Sequence, residues 1–205
     1  MTTPLETRED AYRDVIRTGR IKMIIILLIC AAPIIASYVA YYFLQPQGKV
    51  NYGDLMTPIK PLPPAQLHTL DGHPYDFAAL KGKWVMLTVD GGACPAETCV
   101  KKLYEMRQLR AGQGKDSDRI ELAWLIDDNA QLETRVIRAY DGVHMLRAGG
   151  SPFLSAFPAA SNGTLHDHIY LIDPLGNLVL RFPKEADPVK VKKDLERLLK
   201  YSGIG

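Results

Sequence analysis

Residues 23–44 (MIIILLICAAPIIASYVAYYFL) form an uncharged run of 22. As a helix, such a run satisfies its own backbone N–H and C=O groups, and at ~1.5 Å per residue it crosses the ~30 Å of hydrocarbon in a bilayer. A cleaved signal peptide has a shorter apolar region, about 7–15 residues, behind a short basic leader. The run is therefore read as a permanent transmembrane helix, with Cys30 a small apolar side chain inside it. Arg8, Arg13, Arg17, Arg20 and Lys22 precede it and only Lys49 lies close behind. The positive-inside rule then predicts a cytoplasmic leader over residues 1–22 and an outward-facing remainder. Tyr38, Tyr41 and Tyr42 fall where aromatic rings favour the headgroup boundary.

Residues 45–64 hold Pro46, Gly48, Gly53, Pro58, Pro61, Pro63 and Pro64, a composition expected of an extended linker. Residues 65–205 remain for one globular domain, and a 47% hydrophobic content can fill one core. Lys plus Arg number 25 against 23 Asp plus Glu, with no basic patch interleaved with aromatics, so a nucleic-acid partner is excluded. Three cysteines are too few for a disulfide scaffold, and no second Cys-x2-Cys or His-x3-His run completes a structural zinc site.

Within the domain, Asp71-Gly72 marks a hairpin turn between short strands at 66–70 and 75–77. Residues 83–89 and 120–126 are near-continuous apolar runs, as strands buried on both faces must be. Each leads into a helical pattern, at 100–110 and at 130–140, the second capped from Asp127-Asp128-Asn129. That makes a parallel unit with right-handed crossovers. In the first helix Leu103, Met106 and Leu109 face inward and Lys101, Lys102 and Arg107 outward. Residues 141–164 read as irregular, strands follow at 169–172 and 177–182, and Asp187-Pro188 opens a last helix.

The chemistry is expected at Asp90-Gly91-Gly92-Ala93-Cys94-Pro95-Ala96-Glu97-Thr98-Cys99, between the first buried strand and its helix. Cys94 suits the N-cap, Pro95 the first helical position and Glu97 the third. A cysteine at the positive end of a helix dipole favours thiolate, the form that binds soft metals or attacks disulfides. Redox chemistry, metal binding and a plain structural disulfide are the three uses open to such a pair.

The element order, an α/β arrangement with a cysteine pair between a central strand and a helix, looks like the thioredoxin-like fold, here preceded by one N-terminal transmembrane helix. Leu80-Lys81-Gly82-Lys83-Trp84, Cys94-Pro95 and His168-Ile169-Tyr170-Leu171-Ile172-Asp173-Pro174-Leu175-Gly176 resemble the Sco family of cytochrome oxidase copper chaperones. The resemblance implies a domain on the periplasmic side of the inner membrane. It implies copper held by Cys94, Cys99 and a distal histidine, and a respiratory oxidase subunit or other copper protein as partner.

The family places three residues between its cysteines, whereas here there are four. Five positions on a regular helix mean ~140° of rotation and ~7.5 Å of rise, too far for a disulfide, so Cys94 must lie off the helix if the sulfurs are to meet. For the histidine, His168 is favoured over His166, because His168 directly precedes a strand that would hold its backbone, with Asp167 to orient the ring. His68, His73 and His144 read as surface residues, and Met145 as a soft ligand only if its loop folds over the site. The alternative from another class is a thiol-disulfide oxidoreductase, with Cys94 the more exposed, attacking thiol and Cys99 the resolving one. A peroxidase of the same superfamily is excluded, since its Pro-x3-Thr-x2-Cys pattern is absent.

Overall fold

The structure is a computed structural model that describes residues 4–43 and 51–204. Contacts divide the chain into two units, Met1–Lys49 and Val50–Gly205. In the first, the polar leader and the apolar run form one helix, α1 (Pro4–Phe43), which continues through Pro33. Its stretch Ile16–Tyr42 is long and apolar enough to cross a membrane. Ile24, Leu28, Ile29 and Ile34 stand exposed along it, as side chains meant for lipid would. The expected end of the span, Leu44, lies outside the described residues.

The second unit is built on an eight-stranded sheet, ordered β1-β8-β7-β4-β5-β6-β2-β3. The strands are β1 (Asp54–Pro61), β2 (Gln66–Thr69), β3 (Pro74–Asp76), β4 (Trp84–Asp90), β5 (Ile120–Ile126), β6 (Val143–Arg147), β7 (Ile169–Ile172) and β8 (Asn177–Phe182). β4, β5 and β6 run parallel, and β7 and β8 continue the sheet antiparallel. All seven residues of β4 are buried because both faces are covered. Val85, Leu87 and Val89 point to one face with Ala123, Leu125, Tyr170 and Ile172, under Phe77, Phe153 and Phe157. Trp84 and Met86 point to the other, with Leu122 and Leu171, under α2 (Lys101–Ala111) and α4 (Pro188–Tyr201). Alternation along each strand thus decides which face a side chain meets.

Three expectations change. Residues 54–61 are not linker: they pair antiparallel with β8 through Asp54↔Arg181 and Pro61↔Asn177, with a bulge between Leu55 and Lys60. Pro58 and Pro61 are tolerated because β1 is an edge strand. Residues 44–50 of the expected linker lie outside the described residues. The second helix shrinks to α3 (Thr134–Ala139), which starts after Glu133 with no side-chain cap; the Asp128 carboxylate, expected to cap it, accepts from Gly92 N–H and Ala130 N–H instead. Lastly, the stretch read as irregular contains β6, five residues whose apolar signal is interrupted by His144 and Arg147.

At its entry to the sheet the chain is fastened to α4. The buried Asp194 carboxylate accepts the N–H groups of Tyr52 (2.8 Å) and Gly53 (2.9 Å), and the Tyr52 hydroxyl accepts the N–H of Asp187. Asp187 also caps α4 by accepting from Val189 N–H, as its position before Pro188 predicts.

Candidate functional site

The parallel strands β4 and β5 end side by side, and their C-terminal ends carry the cysteine loop. Gly91 and Gly92 let that loop press against the segment after β5. A Cβ on Gly92 would run into the Ala130 carbonyl, and one on Gly91 would lie 2.5 Å from Asp128 Oδ2. Asp128 Oδ1 accepts from Gly92 N–H (2.8 Å) and Ala130 N–H (3.0 Å), tying the two segments together.

Cys94 follows with φ 44°, left-handed backbone that a β-carbon disfavours. Pro95, not Cys94, is the N-cap, and Ala96–Val100 forms a π-helical turn in which Val100 N–H donates to Pro95 C=O. The expected capping positions are therefore displaced by one. A regular helix cannot join cysteines five apart, but the left-handed step and the wide turn together bring their Cα atoms to 4.9 Å and a disulfide joins them. Both residues are buried, Cys94 at 5% exposure and Cys99 at 0%, so Cys94 is the more exposed of the two, though neither is open to solvent. They pack with Leu103, Trp124, Ile126, Val136, Tyr140 and Met145. Met145 is thus in a strand and in the same apolar cluster as the pair, rather than in a covering loop.

At the end of β4 lies a part-buried ion pair whose lysine helical periodicity alone turns outward. Lys102 Nζ sits 2.9 Å from Asp90 Oδ2, with side chains only 12% and 11% exposed. It also donates to the Val89 carbonyl (3.5 Å) and to the His166 carbonyl. The helix period puts Lys102 near the outer edge of α2, and only the non-local acceptors bring it in. An acidic residue closing an apolar strand, with a lysine three positions after the second cysteine, is the available signal.

The two candidate histidines separate sharply. His168 is 3% exposed and packs 6.0 Å from Tyr170, on the sheet face away from α2. Its Nδ1–H donates to Phe182 C=O (2.9 Å) and its Nε2 accepts from Ala160 N–H (3.1 Å). Both nitrogens are engaged in a neutral ring, so in this structure the favoured ligand has no lone pair to offer.

His166 sits in a 3-10 turn, Leu165–Asp167, and is half exposed. Its Nε2 lies 2.6 Å from Asp127 Oδ2, at the end of β5, and Nδ1 makes no hydrogen bond among the described residues. Asp127, not Asp167, orients this imidazole. Asp167 caps its own turn, and the Thr164 N–H together with Lys184 at 2.9 Å holds its carboxyl down at about 2. A shallow cleft joins Glu97 and Thr98, between the cysteines, to His166, with Lys101, Glu105 and Lys184 around it. Of the other histidines, His68 and His73 are exposed as expected, while His144 is half-buried between Tyr75 and Glu121. With the sulfurs bonded to each other, no group of three His, Cys, Asp or Glu side chains among the described residues stands ready for a metal ion.

A mixed sheet with a bonded cysteine pair between a central parallel strand and its helix defines a thioredoxin-fold protein. A family model described as "Transmembrane-like, thioredoxin-like, C-terminal domain" matches residues 84–202, and the chain belongs to that family. Among solved structures, the fold is similar to copper-bound ScoI of Bradyrhizobium japonicum, at 21% identity and TM-score 0.50, covering 67% of this chain and 99% of that one. It is similar to BsSco, a Sco-family cytochrome c oxidase assembly protein with an identified disulfide switch, at 16% identity and TM-score 0.54, covering 74% and 99%. It is also similar to the thioredoxin domain of a Bacteroides vulgatus thiol-disulfide oxidoreductase, at 16% identity and TM-score 0.50, covering 68% and 96%. At these identities the likeness is one of fold. No curated protein matches the sequence.

Proposed function

We propose that this chain is a membrane-anchored assembly factor for a respiratory oxidase, handling copper as cargo through the reduced Cys94–Cys99 pair. The basic residues before the apolar run support a cytoplasmic leader, hence a periplasmic domain on the inner membrane. The observation that carries the reading is the gathering of the cysteine turn and His166 at one end of the sheet, around Asp90 and Lys102.

The donor chemistry fits copper once the disulfide is opened. Two thiolates are soft donors that select Cu(I), and an imidazole adds a donor that Cu(II) also accepts. His166 Nδ1 is the third donor, replacing the expected His168. Cu(I) titration of the full-length reduced protein in detergent tests this. One ion per chain, lost in Cys94→Ser and in Cys99→Ser, is the expected result; no stoichiometric binding by the reduced parent sinks the copper reading.

A second reading, thiol-disulfide oxidoreductase, is favoured by the bonded state of the pair and by the absence of a ready three-donor group among the described residues. An incoming thiolate would attack Cys94 Sγ, the less buried sulfur, breaking the S–S bond and leaving Cys99 as thiolate. Cys99→Ser then traps a mixed disulfide through Cys94 in cells. A trap that captures nothing argues against this reading.

A further inference from the structure

The part-buried Lys102 ammonium takes no part in the chemistry above, and its surroundings are specific. An ammonium has three N–H donors. Here they meet three acceptors: Asp90 Oδ2 at 2.9 Å, the Val89 carbonyl at 3.5 Å and the His166 carbonyl. Val89 and Asp90 end β4, which leads directly into the cysteine loop. Lys102 is three residues beyond Cys99, in the first turn of α2. One side chain thus joins the strand before Cys94, the helix after Cys99 and the turn that carries His166.

We propose that Lys102 is a positioning residue that sets the His166 turn against the cysteine pair. The inference rests on the reading of His166 as third donor and adds the device that makes it one. The Leu165–Asp167 turn is short, capped by its own Thr164 and Asp167, with Lys184 paired to Asp167 and Leu165 packed on the core. Two ties reach His166 from outside the turn: Asp127 holds its ring and Lys102 holds its backbone. Lys184 and the packing of Leu165 hold the rest of the turn; without the second tie the His166 backbone loses its link to the end of β4 and the start of α2, and the imidazole is placed by Asp127 alone. The protein then keeps a two-sulfur site and loses the nitrogen.

Removing Lys102 alone would leave the Asp90 carboxylate buried without its counter-ion, which endangers folding. The test therefore pairs Lys102→Met with the double variant Asp90→Asn/Lys102→Met. The amide introduced there still offers an oxygen to Gly91 N–H, which lies 3.1 Å from Asp90 Oδ1 in the parent. In the metal-free, oxidised, full-length protein, histidine-labelled NMR should show His166 with a fixed Nε2-protonated ring in the parent. The double variant should show an averaged ring, its resonance assigned by His166→Ala. After reduction, Cu(II) affinity in the double variant should fall at least about tenfold, to the level of His166→Ala, with loss of imidazole nitrogen coupling in the EPR spectrum. An unchanged His166 ring signal in a folded double variant overturns the proposal. If the parent binds no copper, the function proposed above fails, while the NMR signal still decides the role of Lys102. A purely structural lysine would lower the unfolding temperature and leave ring signal and nitrogen coupling as they were.

Discussion

Reduction of the Cys94–Cys99 bond should barely change the stability of the folded domain. The bond closes a loop of about six residues, since the separation is 5. The chain-entropy relation then gives a stabilisation of about 2 kcal/mol from restricting the unfolded state. Against this stands the left-handed backbone of Cys94, φ 44° in a residue with a β-carbon, which costs roughly 1–2 kcal/mol and can relax once the sulfurs part. The two effects nearly cancel, leaving a net loss of about 0–1 kcal/mol on reduction. For a domain of this size that is a shift of no more than about 4 °C in unfolding temperature. Trp84 and Trp124, both buried in the domain, report unfolding by fluorescence, with and without reductant. A loss of about 3 kcal/mol or more refutes the reasoning and makes the disulfide a structural brace. Near-neutrality is what a pair that must open and close in function requires.

Three further outcomes are expected. His168→Ala leaves the Phe182 carbonyl and the Ala160 N–H without their side-chain partner and should cost about 2–5 kcal/mol in denaturant unfolding; His166→Ala should leave stability within about 0.5 kcal/mol while weakening copper binding. Gly92→Ala drives a Cβ against the Ala130 carbonyl and should open the loop, slowing disulfide formation and costing about 1–3 kcal/mol; an unaltered reoxidation rate counts against the tight approach. The Asp167 carboxyl sits at about 2 when folded against an ordinary 3.8, so its contribution is complete above about pH 4 and is lost as pH falls toward 2. Asp167→Asn should flatten the acid limb of the stability profile between those values, and a limb of unchanged slope removes Asp167 from it.

The parts of the fold legible in the sequence are those fixed by local pattern. The seven-residue run of β4 and its twin β5 announce burial on both faces, and Asp187-Pro188 announces the start of α4. β1 stays hidden because its prolines resemble a linker, and an edge strand is recognised only with its partner β8 in view. Lys102 reads as outward because helical periodicity registers neighbours three and four apart, not a carboxylate on another element. Parity does not separate the two histidines, since they stand two apart; the 3-10 turn Leu165–Asp167, which no local pattern announces, takes His166 out of the extended run. His168 shares its side of β7 with Tyr170 and Ile172, so its ring lies on the sheet face opposite α2. Cys94 is more legible: the five-residue spacing alone requires it to leave the helix, and the π-helical turn is the additional accommodation that spacing arguments do not foresee.

The fastening of Tyr52 and Gly53 to Asp194 gives the domain a mechanical anchor point. Tension arriving along the chain from residue 50 meets α4 before it meets the cysteine loop, through two N–H groups gripped by one buried carboxylate. Behind that grip, β1 lies antiparallel along β8, so a pull along the strand loads its hydrogen bonds together in shear instead of unzipping them one at a time. In the sheet, β1 stands three strands from β4, with β8 and β7 between, while α4 packs directly over Trp84 and Met86 of β4. Pull on the chain before β1 is thus taken first by the Asp194 carboxylate and the β1–β8 pairing, at the edge of the sheet and not at the end of β4 that carries Cys94 and Cys99.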